Sequence, residues 1–466
     1  IIYLRYIALL LLLFSCSSNI SVKHPPNVLF IAIDDLNDWV GYLGGHPQAR
    51  TPNIDKLIYK GVGFRKAYTV SPLCNPSRVA LLTGLYPSTT GVYGNRNNFR
   101  RTFPEGVTLM QYFRKNGYLC KGGGKIFHQN NKPGDKISWD DYFISKNISK
   151  EVGKDKSLPM VGTGKGWFNW GPISADDGEM QDVMTTNWAI SELKKNHAQP
   201  LFLACGFFRP HLPWYVPQKY FDRYPLEEII LPKTITNDRD DLPEFGKRFA
   251  RERYSASWGS DLNEGIQDHD LVLEYDQWKK GVQAYLASIS FVDDYVGKIL
   301  DALERSKYAE NTIVVLWGDH GWHLGEKQHW RKQALWEDTT HVPFIVSFPA
   351  KISQNKICDA PVSLIDIFPT LIDLSGLPEK DDLDGKSLVP LLKNPTMDWD
   401  RPVLTTYGKG NHAVRSGMWR YIQYQDGGSE LYDHQKDPHE WFNISDKEGY
   451  KDKVAELKTH LPKQEK

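Results

Sequence analysis

Four short apolar segments, each followed at once by charged or histidine side chains, constrain the fold of this chain most strongly. They are NVLFIAIDD, ending at Asp34 and Asp35; YLCKGGGKIFH, with Lys125 and His128; PLFLACGFFRPH, with Arg209 and His211; and TIVVLWGDHG, with Asp319 and His320. Continuous apolar runs of this length are typical of strands that are buried on both faces of a sheet. The sequence therefore predicts parallel strands whose ends carry polar clusters.

Amphipathic segments between these runs predict helices over Thr108–Gly117, Thr185–Asn196 and Ala284–Ser306. Strands that alternate with helices indicate an open α/β sheet with right-handed crossovers. In such sheets, ligands bind beyond the carboxyl ends of the strands, where all four polar clusters fall. A solvated loop or a helix cap would explain one cluster alone, but four together favour a functional site.

Chain length and charge limit the organisation and the partners. The 466 residues suffice for one large domain and a smaller one. We expect a catalytic α/β domain over residues 25–385 and a small C-terminal α+β subdomain over residues 386–466, where Asp426-Gly427-Gly428 predicts a turn between antiparallel strands. The 57 basic and 57 acidic side chains balance, which argues against nucleic-acid binding but leaves capture of an anion in a local pocket open.

The amino-terminal segment predicts export. Its apolar run from Ile7 to Phe14 is shorter than the roughly 20 residues of a membrane-spanning helix, and it fits a secretory signal over residues 1–16. Leu13-Phe14-Ser15-Cys16 resembles a bacterial lipobox, in which the cysteine carries a lipid; an ordinary signal peptide with a chance cysteine is the alternative. We expect a location in the bacterial cell envelope, as a surface lipoprotein or in the periplasm, with Cys16 as the only link to a membrane.

Acidic residues at two of the strand ends predict a metal site. Asp34, Asp35 and Asp319 would repel one another if they converged, and a divalent cation would remove that conflict. A ligand set rich in oxygen, with His320 as its one imidazole, favours Ca²⁺ or Mg²⁺ over a structural zinc. For Asp34 and Asp35 alone, a solvent-facing acidic edge is the alternative.

Cys74 stands in a polar setting, bounded by prolines, that is unusual for a structural thiol. Pro76 fits a helix start, and Ser77 and Arg78 then occupy the first turn, so that backbone N–H groups and a guanidinium face one point. Such an anion cradle favours a nucleophilic thiol with a lowered pKa, whereas a buried structural cysteine is the alternative. The spacing of the other cysteines does not predict a disulfide framework, although it leaves open a disulfide between one pair of them. They are Cys16, Cys120, Cys205 and Cys358.

The stretch CNPSRVALLTG, from Cys74 to Gly84, resembles the signature of the type I sulfatases. Further stretches resemble the same family in order: NVLFIAIDDL, TPNIDKLIYKGVGFRKAYT, GKIFH, GDHGWHLGE, THVPFIV and ELYDHQKDPHEWFN. The resemblance implies an alkaline-phosphatase-like sandwich, with a large mixed, mostly parallel sheet between helices and a smaller C-terminal antiparallel sheet. It also implies that a separate maturation enzyme converts Cys74 to formylglycine (3-oxoalanine) and that one Ca²⁺ is bound.

The resemblance assigns roles to the polar clusters. Formylglycine hydrates to a diol, one hydroxyl of which attacks the sulfur of a sulfate ester while the metal acts as a Lewis acid. The implied metal ligands are Asp34, Asp35, Cys74, Asp319 and His320, and the implied cations around the sulfate oxygens are Arg78, Lys125 and Lys332. His128 matches the base that expels sulfate, and His211 matches the acid that protonates the leaving alcohol. For either histidine alone, a structural role is the alternative.

GKIFH, GFFRPHLPW and DHGWHLGEKQHWRK resemble the iduronate-2-sulfatase branch most. We therefore expect a sulfatase that acts on a sulfated polysaccharide or its oligosaccharides, at a 2-O-sulfate of a uronic-acid-like residue in a glycosaminoglycan or an algal polysaccharide such as ulvan. Arg209, Trp322 and His323 are expected to line the sugar pocket, with the segments 161–172 and 233–275 at its rim; a core position is the alternative for Trp322. Two functions compete with this one: a phosphoester or phosphonate hydrolase of the same superfamily, and a non-catalytic lipoprotein that binds sulfated glycans and whose Cys74 stays a thiol.

Overall fold

The part of the chain that the computed structural model describes, residues 25–145, 168–174, 176–251, 267–349 and 351–466, is built around one eight-stranded sheet. In chain order the strands are β1 Asn27–Ile33, β2 Gly61–Tyr68, β3 Leu119–Gly124, β4 Asp141–Phe143, β5 Trp170–Ile173, β6 Leu201–Phe207, β7 Trp214–Pro217, β8 Thr312–Gly318, β9 His323–Leu324, β10 Trp330–Arg331, β11 Phe344–Ser347, β12 Lys356–Ser363, β13 Val403–Thr406, β14 His412–Ser416, β15 Trp419–Gln423 and β16 Ser429–Asp433. The predicted signal segment, with Cys16, lies outside the described residues.

Helices connect the strands and cover the sheet. In chain order they are α1 Pro52–Ile58, α2 Cys74–Thr83, α3 Pro87–Thr90, α4 Phe99–Thr102, α5 Leu109–Lys115, α6 Gln181–Lys194, α7 Gln218–Phe221, α8 Glu244–Arg251, α9 Asp268–Glu274, α10 Trp278–Glu304, α11 Glu337–Thr340, α12 Ile367–Ser375, α13 Val389–Lys393 and α14 Lys451–Lys458. The three predicted helices are confirmed as α5, α6 and α10, although α6 and α10 begin earlier than the pattern indicated. No helix of the described chain has both the length and the apolar character needed to cross a membrane.

The large sheet has the order β12-β2-β11-β8-β1-β6-β3-β4. Strand β11 runs antiparallel to β8 and β2, and the other neighbouring pairs are parallel, so the predicted mixed, mostly parallel sheet is confirmed. The four strands predicted from apolar runs are β8, β1, β6 and β3, which lie side by side. Because Ile33 pairs with both Gly318 and Phe207, these strands end level with one another.

Both faces of the sheet are buried, which explains the continuous apolar runs. Along β1, Leu29 and Ile31 join the hydrophobic cluster that includes side chains of α6 and α10, whereas Phe30 and Ala32 join the cluster that includes α2 and α12. Each face of the sheet is thus covered by helices, and only the strand ends remain open to a ligand.

A separate four-stranded antiparallel sheet, in the order β13-β14-β15-β16, follows the large sheet in the chain. The predicted turn joins β15 to β16: the Gly428 N–H bonds to the Asp426 side chain, and Gly427 has the positive φ of 90° that glycine permits. This sheet lies within the predicted C-terminal subdomain, whose boundary at residues 385 and 386 stays a prediction.

Candidate active site

The polar residues predicted at the four strand ends converge on one centre. They follow β1, β3, β6 and β8 directly or within four residues: Asp34, Asp35, Lys125, His128, His211, Asp319 and His320. The close approach needs glycine on β6, because a Cβ at Gly206 would stand 2.3 Å from the Lys125 carbonyl oxygen. The aligned strand ends therefore place acidic, basic and imidazole groups around a single point.

Cys74 lies at that point, as the first residue of α2, and its side chain is fully buried. Its Sγ accepts a hydrogen bond from Lys332 Nζ at 2.9 Å and lies 3.2 Å from His320 Nε2 and 4.0 Å from Lys125 Nζ. Burial opposes ionisation of the thiol, but Lys125 and Lys332 more than offset it and bring the Cys74 pKa below its ordinary value. The residue is thus held in a strongly cationic surrounding.

The Arg78 guanidinium is fully buried and joins two of the strand ends. Its Nε donates to Asp319 Oδ2 at 2.8 Å and its Nη2 to Asp34 Oδ1 at 3.0 Å. Its Nη1 donates to the carbonyl oxygens of Lys125 at 2.5 Å and Ile126 at 3.0 Å. Arg78 therefore orients the carboxylates of Asp34 and Asp319, a contact that the motif alone did not indicate.

The predicted metal ligands fall into two overlapping groups, each compact enough to hold one cation. One ligand atom each from Asp34, Cys74, Asp319 and His320 lie within 4.8 Å of one another, as do those of Asp34, Asp35, Cys74 and His211. His320 Nε2 also lies 3.3 Å from Asp35 Oδ1. Oxygen ligands with one imidazole fit a divalent cation such as Ca²⁺.

Two further observations favour a cation at this cluster. Asp35 Oδ2 is buried without a hydrogen-bond partner among the described residues, which is costly for a carboxylate unless a cation approaches it. His320 Nδ1 lies 3.1 Å from the Gly321 carbonyl oxygen and can donate its proton there, which leaves Nε2 directed at the cluster, the arrangement of metal-binding histidines.

The neighbouring aspartates differ in charge although both are fully buried. Burial opposes ionisation of Asp34, but the charges of Lys125 and Arg78 bring its pKa well below the ordinary value. Burial raises the pKa of Asp35 to about 7, because the Lys332 ammonium at 2.6 Å offsets it only in part. Without a further cation the cluster cannot ionise fully at neutral pH.

Two histidines face this centre from the loops after β6 and β3. His211 Nδ1 bonds to the Leu212 carbonyl oxygen at 2.6 Å, and its Nε2 lies 3.9 Å from Asp35 Oδ2. Burial, with Lys125 and Lys332, lowers the pKa of His211 well below its ordinary value and that of His128 to about 3. Both imidazoles are therefore neutral beside the two lysines, and the negative charge of a bound anion would raise both pKa values.

Hydroxyl groups support the centre through contacts that the sequence pattern does not predict. The Tyr285 hydroxyl, from α10, donates to the Asp35 carbonyl oxygen at 2.7 Å and accepts from the Asn37 N–H at 3.1 Å. The hydroxyl groups of Thr69 and Ser77 both donate to the Asp319 carbonyl oxygen at 2.6 Å. A tyrosine in an amphipathic helix resembles any core residue, so no sequence signal marks Tyr285.

The structure places Trp322 and His323, which were expected in the sugar pocket, inside the fold, and their contact with a sugar stays a prediction. The Trp322 ring is buried in the hydrophobic cluster, and its centre lies 6.0 Å from the centre of the Trp214 ring. Lys332 Nζ lies over the same ring, 5.5 Å from its centre. His323 is fully buried against His329 and Trp336. The polar neighbours suggested exposure, but the Trp322 N–H pairs with the Asp338 carbonyl oxygen at 2.8 Å and draws this segment inward.

Arg209 and the aromatic segment also lie deeper than expected. Arg209 is buried, and two of its guanidinium nitrogens donate to backbone carbonyl groups rather than facing an open pocket. Trp170, in the segment 161–172, stacks on Trp214 and Trp330 within the core. Residues 161–167 and 252–266, in the two expected rim segments, lie outside the described residues.

Solved structures of other proteins share this fold. They include the phosphonate monoester hydrolase of Agrobacterium radiobacter, at 22% identity over 93% of this chain and 94% of that chain, with a TM-score of 0.75. A 2-O GAG sulfatase is 23% identical over 94% of this chain and 91% of that chain, with a TM-score of 0.71. The fold is therefore the predicted alkaline-phosphatase-like one.

The sequence comparisons narrow this class. The Sulfatase family model matches residues 26–377, and the model of the N-sulphoglucosamine sulphohydrolase C-terminal region matches residues 325–466. A sulfatase of Formosa agariphila is 41% identical over 94% of this chain and 86% of its own length, and human iduronate 2-sulfatase is 31% identical over 75% of this chain and 69% of its own length. This chain belongs to the sulfatase family, and it is a sulfuric ester hydrolase.

Proposed function

We infer that this enzyme removes a sulfate from a sulfated polysaccharide or its oligosaccharides, at the 2-position of a uronic-acid-like residue. The observation that carries the inference is the centre around Cys74, where two lysines, a carboxylate cluster and two histidines surround one buried side chain. The substrate class is supported by the likeness to iduronate 2-sulfatase and to a 2-O GAG sulfatase.

The residues present fit formylglycine at position 74 and one Ca²⁺ held by Asp34, Asp35, Asp319 and His320. When bound and formed, these groups supply a hydroxyl nucleophile and a Lewis acid. Cys74 is fully buried in the folded chain, so a maturation enzyme must act before folding is complete. Export, and a lipid anchor on Cys16, belong to the same proposal.

In this proposal, the side chains around Cys74 divide the remaining work. Lys125 and Lys332 bind the non-bridging sulfate oxygens and stabilise the charge that develops on them. Arg78 keeps Asp34 and Asp319 in place. His211 Nε2, protonated once the anion offsets the lysines, donates its proton to the leaving oxygen, and His128 accepts a proton during release of sulfate.

The nucleophile is tested by Cys74→Ala with Cys205→Ala as its control, since Cys205 is equally buried but lies within β6. We expect Cys74→Ala to lose all turnover of a nitrophenyl sulfate and Cys205→Ala to retain it. The mass of the tryptic peptide with residue 74 should show an aldehyde in place of a thiol. Substantial activity of Cys74→Ala would refute the assignment.

The cation is tested by elemental analysis of the purified enzyme before and after chelation. We expect one calcium per chain, and loss of activity when it is removed. Stoichiometric zinc without calcium or magnesium would contradict this assignment and favour a phosphoester or phosphonate hydrolase. Such an enzyme should turn over an aryl phosphate faster than the matched aryl sulfate.

The substrate is tested with defined oligosaccharides: 2-sulfated uronides of glycosaminoglycans, ulvan fragments and carrageenan fragments, with free sulfate measured for each. We expect release from a uronide-containing fragment. Release confined to neutral sulfated sugars would overturn the uronide proposal. Binding of the glycan by a protein that retains a Cys74 thiol and releases no sulfate would instead support the non-catalytic alternative.

A further inference from the structure

The turn that carries His211 is held by two buried side chains outside the implied catalytic set. The turn follows β6 and contains Pro210 and Pro213, which lack backbone N–H groups and leave the turn with few hydrogen bonds of its own. Asp182, from α6 and nearly fully buried, accepts from the N–H groups of Phe208 at 2.8 Å and Arg209 at 2.9 Å. These bonds fix the entry to the turn.

The Arg209 side chain fixes the rest of the turn. Its Nε donates to the Tyr215 carbonyl oxygen at 3.1 Å, and its Nη1 donates to the His211 carbonyl oxygen at 3.2 Å. Its guanidinium carbon also lies 5.1 Å from the centre of the Phe208 ring, which in turn contacts the His211 ring at 4.8 Å. The backbone and the ring of His211 are thus both restrained through Arg209.

Arg209 makes no ion pair within 4.0 Å among the described residues, although it is buried. Burial lowers its pKa to about 10, so it stays charged at neutral pH. A buried guanidinium whose hydrogen bonds all go to carbonyl groups is costly, and the charge of the nearby Asp182 carboxylate offsets that cost only in part. The group that this geometry serves is His211, because Nδ1 is tied to the turn itself, through Leu212, while Nε2 faces the centre at 3.9 Å from Asp35.

We propose that Arg209 and Asp182 form a clamp that positions His211 for proton donation to the leaving oxygen. This inference rests on the proposed function, and it makes Arg209 a positioning residue rather than a sugar ligand. Displacement of a catalytic group by about 1 Å can lower the rate on the order of 100-fold. That loss falls on substrates whose leaving group needs the proton, since an acidic phenol departs without one.

The test measures how the rate depends on the leaving group in a series of substituted phenyl sulfates of decreasing phenol acidity. The variants are Arg209→Gln, with Arg209→Lys as the second variant that keeps the charge, and Asp182→Asn. Arg223→Gln is the control, because Arg223 forms a half-buried pair with Asp294 and has no contact with the His211 turn among the described residues. The His211→Ala variant sets the limit for complete loss of proton donation.

We expect Arg209→Gln to lower kcat by about 10-fold to 100-fold for the least acidic phenols and by less than about threefold for the most acidic one. The plot of log kcat against phenol pKa should steepen toward that of His211→Ala, with smaller changes in Arg209→Lys and Asp182→Asn and none in Arg223→Gln. Arg209→Lys keeps the charge but lacks the planar set of guanidinium donors, so we expect it to retain the dependence of the unaltered enzyme only in part.

Three results would overturn the clamp. An equal loss of kcat for all phenyl sulfates would indicate a purely structural role for Arg209. An unchanged slope of log kcat against phenol pKa in folded variants would show that His211 needs no support. A rise in KM for a uronide substrate with kcat unchanged would make Arg209 a sugar ligand. Inactivity of the unaltered enzyme on every sulfate ester is a separate outcome that refutes the proposed function itself.

Discussion

Replacing Arg78 with methionine tests whether this side chain holds the carboxylate cluster together. Arg78, Asp34 and Asp319 are all fully buried, and the substitution removes two ion pairs, at 2.8 Å and 3.0 Å, and two bonds to carbonyl oxygens. Removing one partner of a buried pair typically costs about 3–5 kcal/mol, because the other charge is left unpaired. Lys125 still contacts Asp34 in the variant, so the loss should stay within that range although two pairs are removed.

The assay is urea unfolding followed by tryptophan fluorescence, with chelator or with saturating Ca²⁺. The free energy of unfolding of Arg78→Met should fall by about 3–5 kcal/mol in chelator and by less with Ca²⁺, because the cation takes over part of the guanidinium charge. Arg65→Met is the control: its pair with Asp359 leaves the two side chains 50% and 64% exposed, so it should change stability by at most about 1 kcal/mol. A loss for Arg78→Met as small as that of the control, or one that Ca²⁺ leaves unchanged, would refute the reasoning.

Three further predictions concern the surroundings of the centre. Gly206→Ala should lower kcat on a nitrophenyl sulfate on the order of 100-fold by displacing the Lys125 backbone, and a rate near that of the unaltered enzyme would contradict the close approach at 2.3 Å. Tyr285→Phe should lower kcat and reduce the free energy of unfolding by about 1–3 kcal/mol, because the Asp35 carbonyl oxygen loses its hydrogen bond; unchanged urea unfolding would argue against this support. Burial raises the pKa of Asp293 to about 6, so the folded chain binds this proton more tightly than the unfolded chain does. The resulting stabilisation of the folded state is complete below the ordinary carboxyl pKa of about 3.9, and it is lost as the pH rises through about 6. Urea unfolding between pH 4 and 7 should therefore show a pH-dependent difference between the unaltered enzyme and Asp293→Asn, and a constant difference would show that this carboxyl does not titrate there.

The sequence pattern predicts strands β8, β1, β6 and β3 better than the strands β2 and β11 beside them. Strands β8, β1, β6 and β3 are apolar throughout because helices cover both faces, and this pattern was sufficient to find them. Strand β2 carries Arg65 and Lys66, which are exposed or half-exposed, and its mixed pattern does not distinguish a strand from a loop. The antiparallel direction of β11 depends on how the chain returns to the sheet, which local composition does not encode.

The same contrast holds for the site. Residues directly after the strands were predicted because aligned strand ends bring them together whatever the rest of the chain does. Tyr285 lies 250 residues from Asp35 and meets it only through packing of α10. The glycine and charged neighbours of Trp322 resemble an exposed loop, whereas a backbone hydrogen bond to Asp338 draws the segment inward and the ring lies in the core, the alternative that the sequence left open.

Backbone strain explains why the contact between Asp35 and Lys332 lies beyond any sequence pattern. Asp35 has a φ of 57°, and Lys332 lies between Arg331 and Gln333, with φ of 91° and 76°. Non-glycine residues adopt such left-handed conformations at a cost, and only where surrounding contacts impose them. Here the Tyr285 hydroxyl holds the Asp35 carbonyl group, and the result is a 2.6 Å ion pair beside the buried Cys74 side chain. The free energy of folding therefore orients the charged groups of the site before a substrate arrives, which is the preorganisation that electrostatic stabilisation of a sulfate ester requires.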